Sequence, residues 1–309
     1  MTNNNSNNFL RIKIKKDKYE YFSKGILSSS LYSIGISANL ALEVANQVEE
    51  EISLASDTPT KEKLIKIITS AIKNIDKRLA ERYRVFEGEE KYKPIIVLLA
   101  GVPGIGKSTL AVDLSKRLEI TNIIGTDMVR EILRQTISST LIPELHSSSY
   151  EAYKHLKPTL NPILRQSIVG YEEQCRHVIV GVEAAIQSAL YSRENTIIEG
   201  VHLAPNILKS SILEESHVIM ILFYLENEEE HLRRIQSRGS KIKQRGADRY
   251  LQSFQEIRNI QTYLVEEANK YEIPIIETSD SAKAIEKMID KVWERILFLE
   301  NKEKEKKQF

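Results

Sequence analysis

"GVPGIGKSTL", residues 101–110, stands between the apolar run "PIIVLLA" (94–100) and the amphipathic segment "AVDLSKRL" (111–118). In a strand–turn–helix context, G-x-x-x-x-G-K-S over Gly101–Ser108 reads as a phosphate-binding loop. Gly101, Gly104, Ile105 and Gly106 supply a backbone that turns tightly and brings its N–H groups against phosphate oxygens, and the helix that follows adds its positive dipole end. Lys107 contributes a point charge for the β and γ phosphates, Ser108 a hydroxyl for magnesium, and Thr109 a hydroxyl near the α phosphate. The expected cofactors are therefore ATP and magnesium. The competing reading, a glycine-rich turn with a surface lysine, explains neither the complete spacing nor the flanking pattern.

Outward from this loop, apolar strands alternate with helical patterns. Strands are predicted at 94–100, 122–126 ("NIIGT"), 196–200 ("TIIEG"), 217–225 ("HVIMILFYL") and 273–278 ("IPIIET"). That alternation predicts an α/β fold, a five-stranded, mostly parallel sheet with helices on both faces. Ile168, Tyr171, Cys175, Val178, Val182 and Ala189 keep helical spacing and predict a long helix.

Upstream, the alternating stretch "LRIKIKKDKYEYF" (10–22) is followed by helical stripes, Ala41, Val44, Ala45, Val48 and Ile52 in one, Leu64, Ile68, Ala71, Ile75 and Leu79 in another. Thr58 and Pro59 are read as the cap and first residue of the second. The expected organisation is a disordered Asn-rich tail (1–8), a small, mostly helical domain (9–90), the P-loop domain (91–300) and a charged tail (301–309).

Composition limits the alternatives. Among 309 residues, 44 Lys and Arg nearly cancel 43 Asp and Glu, so no global field draws in nucleic acid or an anionic membrane. The single cysteine, Cys175, excludes an internal disulfide and a multi-thiolate zinc site, and reads as a buried small hydrophobe. No apolar run approaches the roughly 20 residues that span a bilayer, and the N-terminus lacks a signal-peptide core. A cytoplasmic protein with a small anionic substrate is expected; oligomeric state is left open.

The acceptor of the phosphoryl group must be read downstream. Glu199, at the end of "TIIEG", sits where a carboxylate reaches magnesium through water; the alternative is a strand-end surface acid. In "GTDMVREILRQ" (125–135), Asp127, Arg130 and Arg134 share a helical stripe at the carboxyl edge of the sheet, where such folds bind ligands. Two guanidinium forks favour an acceptor that already carries negative charge, and Asp127 orients the attacking hydroxyl or takes its proton. A solvated Asp–Arg face is the alternative. His202, in the "EGVHLAP" loop, is a further acceptor contact, against a purely loop-bonding role. His146, Tyr150 and Lys154 are weaker candidates. The basic stretch "HLRRIQSRGSKIKQRGADRY" (231–250) reads as a lid, with Arg238 and Arg245 brought to the transferring phosphate and Arg249 to the substrate. Asp248 is read as the cap of the next helix. A solvated basic loop competes.

Together, "GVPGIGKST", "IIGTDMVREILR", "LIPELHSSSYEAY" and "IIEGVHLAP" resemble the archaeal 2-phosphoglycerate kinases over residues 93 to about 290. The segment "KKDKYEYFSKGILSSSLYSIGISANLALEVANQVEEEI" resembles the ATP-cone module that precedes the kinase domain in that family. The resemblance implies a nucleoside-monophosphate-kinase-like fold with "PIIVLLA" as its central strand. It also implies transfer of the γ-phosphoryl of ATP to the 3-hydroxyl of 2-phosphoglycerate, giving 2,3-bisphosphoglycerate and ADP. A P-loop kinase of another phosphorylated small molecule or sugar nucleotide, and a non-catalytic nucleotide-responsive regulator, are the alternatives; no zinc-ligand set or basic recognition helix supports the last.

Overall fold

The computed structural model describes residues 10–87, 94–156, 166–214, 218–241 and 246–307. The chain divides into two compact units, residues 1–91 with 296–309, and residues 92–295. The expected N-terminal tail lies outside the described residues.

The first unit opens with an antiparallel hairpin, β1 (Arg11–Lys15) and β2 (Lys18–Tyr21), in which Arg11 pairs with Tyr21 and Ile12 with Glu20. Four helices follow: α1 (Lys24–Ser33), α2 (Ala38–Ser53), α3 (Lys61–Lys73) and α4 (Lys77–Phe86). The stripe Ala41, Val44, Ala45, Val48 and Ile52 is buried along α2, as its spacing predicts. The second stripe is broken. Asp76 accepts from the Arg78 N–H at 2.7 Å and starts α4, so Ile75 falls in the turn and is exposed. A side-chain cap ended the pattern that apolar spacing alone had carried through to Leu79. The start of α3 also differs from expectation: Thr60 is its N-cap, accepting from Lys63 N, while the carbonyl of Pro59 bonds the hairpin at Lys13 N. Buried Arg82 donates to the carbonyl of Ile34, at the end of α1.

The second unit is the α/β layer. Its strands are β3 (Ile96–Ala100), β4 (Asn122–Gly125), β5 (Thr196–Gly200), β6 (Val218–Tyr224) and β7 (Ile275–Glu277). They form one parallel sheet in the order β4-β5-β3-β6-β7. All five residues of β3 are buried, as the unbroken apolar run at the centre of a two-sided sheet requires. The five strands fall where the apolar runs predict them, with one refinement: Thr126 begins a helix.

The helices that follow β3 in the chain are α5 (Lys107–Arg117), α6 (Thr126–Thr136), α7 (Gln166–Ser192), α8 (Ser210–Glu214), α9 (Glu228–Lys241), α10 (Gly246–Gln252), α11 (Phe254–Lys270) and α12 (Ser281–Lys307), the last belonging to the second unit up to residue 295 and to the first from 296 on. Asp248 falls inside α10 rather than capping a helix. The last helix runs on to Lys307, through most of the segment read as a charged tail.

Between α6 and α7 the chain makes two 3-10 turns, Pro143–His146 and Ala152–His155. The second lies hard against α7: a methyl group built at Gly170 would stand 2.1 Å from Tyr153 N and 2.4 Å from its Cα. Gly170→Ala is therefore expected to cost about 1–3 kcal/mol by forcing two backbones apart. Gly25→Ala, on an open face of α1 where the nearest atom is 3.7 Å away, is expected to lie within about 0.5 kcal/mol of the parent. Urea unfolding of the two variants measures the contrast.

Candidate active site

The loops after β3, β4 and β5 leave the same carboxyl edge of the sheet. The loop after β3 holds Gly104 and Gly106 at φ +86° and +94°, a left-handed conformation that favours glycine. Gly106 is the N-cap of α5 and brings no capping side chain, so the first N–H groups of the helix are left to a ligand. The loop carbonyls are engaged by protein donors: His231 Nε2 lies 2.8 Å from the Pro103 oxygen, and Arg234 Nη1 lies 3.4 Å from that of Ile105. In trans peptides the next N–H points the opposite way. The N–H groups of Gly104 and Gly106 are thereby turned away from α9. Lys107, largely buried, bonds the Val102 carbonyl through Nζ at 2.9 Å.

Ser108 Oγ donates to Glu199 Oε1 at 2.9 Å. Sheet register produces this meeting, because Leu99 of β3 and Gly125 of β4 both pair with Glu199. The serine hydroxyl and the strand-end carboxylate that were each read as facing magnesium thus lie side by side. Among the described residues, no group of three or more His, Cys, Asp or Glu is arranged to hold a metal.

Beside Glu199, α6 begins. The side chain of Asp127 is 78% exposed, that of Arg130 only 16%, and Arg130 Nε lies 3.7 Å from Asp127 Oδ1. Arg130 Nη1 donates to the carbonyl of Ser147. Arg134, one turn on, is paired with Glu131 at 2.8 Å. The Nε–H groups of Arg130 and Arg134 are buried and find no hydrogen-bond acceptor among the described residues. Two guanidinium donors without a hydrogen bond on one helix stripe are the chemistry an anion satisfies.

His202 was expected to reach the acceptor; its ring is instead fully buried, with both nitrogens engaged. Nδ1 lies 2.8 Å from Thr126 Oγ1, and Nε2 lies 2.9 Å from Gln174 Oε1. The amide of Gln174 faces two carbonyls, Glu144 O at 2.5 Å and Ser147 O at 3.1 Å, so its NH2 must point there and its oxygen toward the ring. Nε2 therefore carries the proton, and Nδ1 accepts from the Thr126 hydroxyl. Tyr171 fixes the same loop by donating to the Val201 carbonyl at 2.6 Å.

Of the lid arginines, Arg238 falls in α9, with its side chain outside the described residues, and Arg245 lies outside them altogether. Arg249, in α10, is bonded to Glu151 of the 143–156 loop, and Tyr150 packs against Tyr250 at 5.3 Å between ring centres. His146 Nε2 bonds the Ile137 carbonyl, and Lys154 pairs with Glu151. Cys175 is buried and its thiol is pushed well up by that burial, matching an inert apolar role.

Sequence reading missed His231 and Arg234. Besides the loop carbonyl, Arg234 reaches Thr278 O and Ser279 O, each at 3.0 Å, and Glu230 at 2.9 Å. The available signal was their i, i+3 spacing at the start of the basic stretch, which places both on one face of α9.

No family model matches the chain. It is 35% identical over 293 residues to a 2-phosphoglycerate kinase of Methanopyrus kandleri, covering 93% of this chain and 88% of that one. It is 37% identical over 279 residues to the 2-phosphoglycerate kinase of Pyrococcus furiosus, covering 89% and 90%. The chain belongs to the 2-phosphoglycerate kinase family. A third member, from Methanocaldococcus jannaschii, is 35% identical over 289 residues, with 92% and 91% covered. Among solved structures, a gluconokinase from Sinorhizobium meliloti aligns at a TM-score of 0.37 and 13% identity, over 64% of this chain and 91% of that one.

Burial drives His202 down from 6.5 to about 4, with Asp127 pulling upward and Arg130 and Lys107 pushing down. The unfolded chain takes up this proton near its ordinary value; the folded chain refuses it until about pH 4. This contribution to stability is thus complete above pH 6.5 and is lost as pH falls through that window, on the order of 3 kcal/mol in all. His231, also lowered by burial, adds in the same sense. Urea midpoints are expected to fall between about pH 6.5 and 5, with a shallower fall in His202→Gln.

Proposed function

We infer that the protein is an ATP-dependent 2-phosphoglycerate kinase: it transfers the γ-phosphoryl of ATP to the 3-hydroxyl of 2-phosphoglycerate, forming 2,3-bisphosphoglycerate and ADP. The observation that carries this reading is 35–37% identity to three kinases of that specificity over about nine-tenths of the chain. The site supports it with a division of labour: backbone N–H groups and Lys107 on the donor side, side-chain charges on the acceptor side.

The bond formed joins the acceptor's 3-oxygen to the γ-phosphorus, the bond broken joins that phosphorus to the ADP oxygen, and the hydroxyl proton leaves toward Asp127 or water. Because phosphoryl transfer is chiefly positioning and charge stabilisation, the fixed charges matter more than a strong base. Lys107 releases Val102 and turns to the β and γ phosphates. Arg130 and Arg134 offer their buried Nε–H groups to the phosphate and carboxylate of the acceptor, and Asp127 aligns the hydroxyl. The Ser108 hydroxyl and the Glu199 carboxylate, side by side, are the groups that would hold a magnesium ion, which would supply charge neutralisation for the transferring phosphoryl group. A site with few protein ligands suits an ion that keeps phosphate and water around it. Arg238 and Arg245 of the basic stretch are proposed to serve the transferring phosphate, and Arg249 the substrate. The hairpin-and-four-helix first unit is assigned as an ATP-cone-like domain.

Incubation with magnesium ATP and a panel of phosphorylated acids, followed by phosphorus NMR, is expected to show a new phosphomonoester with 2-phosphoglycerate; ATP binding without product from any acid would favour a regulator. Lys107→Ala is expected to abolish turnover. Arg130→Ala is expected to raise the acceptor KM by about 10–100-fold, the loss of one charge-assisted hydrogen bond, while ATP affinity is retained.

A further inference from the structure

The geometry points to His202 as a positioning residue: through Thr126 on one side and Gln174 on the other, it locks the start of α6 and the 143–156 loop onto the end of β5. It thereby sets where the acceptor lies without touching it. This rests on the acceptor reading above.

The chain of bonds has one direction. Thr126 Oγ1 donates to His202 Nδ1, His202 Nε2 donates to Gln174 Oε1, and Gln174 Nε2 donates to Glu144 O and Ser147 O. The Ser147 carbonyl also receives Arg130 Nη1. Four segments distant in sequence, from α6, the first 3-10 turn, α7 and the loop after β5, thus meet through one neutral imidazole. Reversing any link would set two donors or two acceptors face to face in a buried site, which is costly.

The two ends of the network are what matter for the reaction. Thr126 is the first residue of α6 and directly precedes Asp127; Arg130 follows one turn later and shares its carbonyl partner with Gln174. A methyl group built at Gly200 would stand 1.8 Å from Thr126 Oγ1, so α6 is seated directly on the end of the strand that carries Glu199. A histidine that merely filled the core would need no such partners, and an apolar side chain would fill that space without the cost of burying polar groups. Satisfaction of the Thr126 hydroxyl, both ring nitrogens of His202 and the Gln174 amide instead fixes one arrangement of the helix, the loop and the strand relative to one another.

The test compares acceptor and ATP kinetics of Thr126→Val, Thr126→Ser, Gln174→Leu and the Thr126→Val/Gln174→Leu double variant, with thermal unfolding of each. The expected result for Thr126→Val and Gln174→Leu is a rise of about tenfold or more in the 2-phosphoglycerate KM, with the ATP KM within about twofold of the parent. Thr126→Ser, which keeps the hydroxyl, is expected to stay within about threefold of the parent. The double variant is expected to resemble the worse single variant rather than their product, because both substitutions cut one chain through His202. Lowered melting temperatures with an unchanged acceptor KM, or equal rises for acceptor and ATP, would overturn the proposal. Thr126→Val removes one hydroxyl at nearly constant volume, and carries the test should Gln174→Leu not fold. The parent enzyme's own turnover of 2-phosphoglycerate tests the acceptor reading separately; were another phosphorylated acid from the panel the true acceptor, its KM would be the one read.

Discussion

The parallel pairing of β3 with β5 is the constraint from which the site follows. With Leu99 opposite Glu199, the phosphate loop leaves one strand end while the carboxylate leaves the neighbouring one, and Ser108 of the first helical turn comes down onto it. A register slip of one residue would turn the Glu199 side chain to the other face of the sheet. β4 pairs with β5 in turn, Gly125 opposite Glu199, so α6 also starts at the carboxylate. The phosphate loop, the carboxylate and the start of α6 are therefore brought to one place by three adjacent strands.

The two halves of the site use different physics. The proposed donor side is backbone: a loop whose carbonyls are drawn aside by His231 and Arg234, leaving its N–H groups for a phosphate. Main-chain donors are indifferent to what lies beyond the phosphates, which suits a site many enzymes share. The proposed acceptor side is made of side chains, Asp127, Arg130 and Arg134, whose charge and reach would select the partner. In that reading, specificity is concentrated on one helix and on the polar network beneath it.

Much of this was legible in sequence for identifiable reasons. The five strands showed because their apolar runs are continuous, and the phosphate loop because its spacing is complete. The pairing of Ser108 with Glu199 was foreshadowed by their separate readings as groups facing one ion. The end of α3 was not legible from apolar period, because Asp76 stops the helix by capping the next one. His202 illustrates a different limit. Its place after a strand at the sheet edge was correct, but burial depends on Thr126 and Gln174, which are 76 and 28 residues away. His231 and Arg234 were overlooked within a basic stretch whose composition directs attention to its other arginines.

Lys107 rests on the carbonyl of Val102, five residues back along its own loop. A side chain held in this way has already surrendered much of the rotational freedom that a loose surface lysine would give up on meeting its ligand. In the proposed reading, engagement of a nucleotide is a swap of one oxygen for another over a short swing, and a guest without anionic oxygens offers the ammonium no reason to leave its perch.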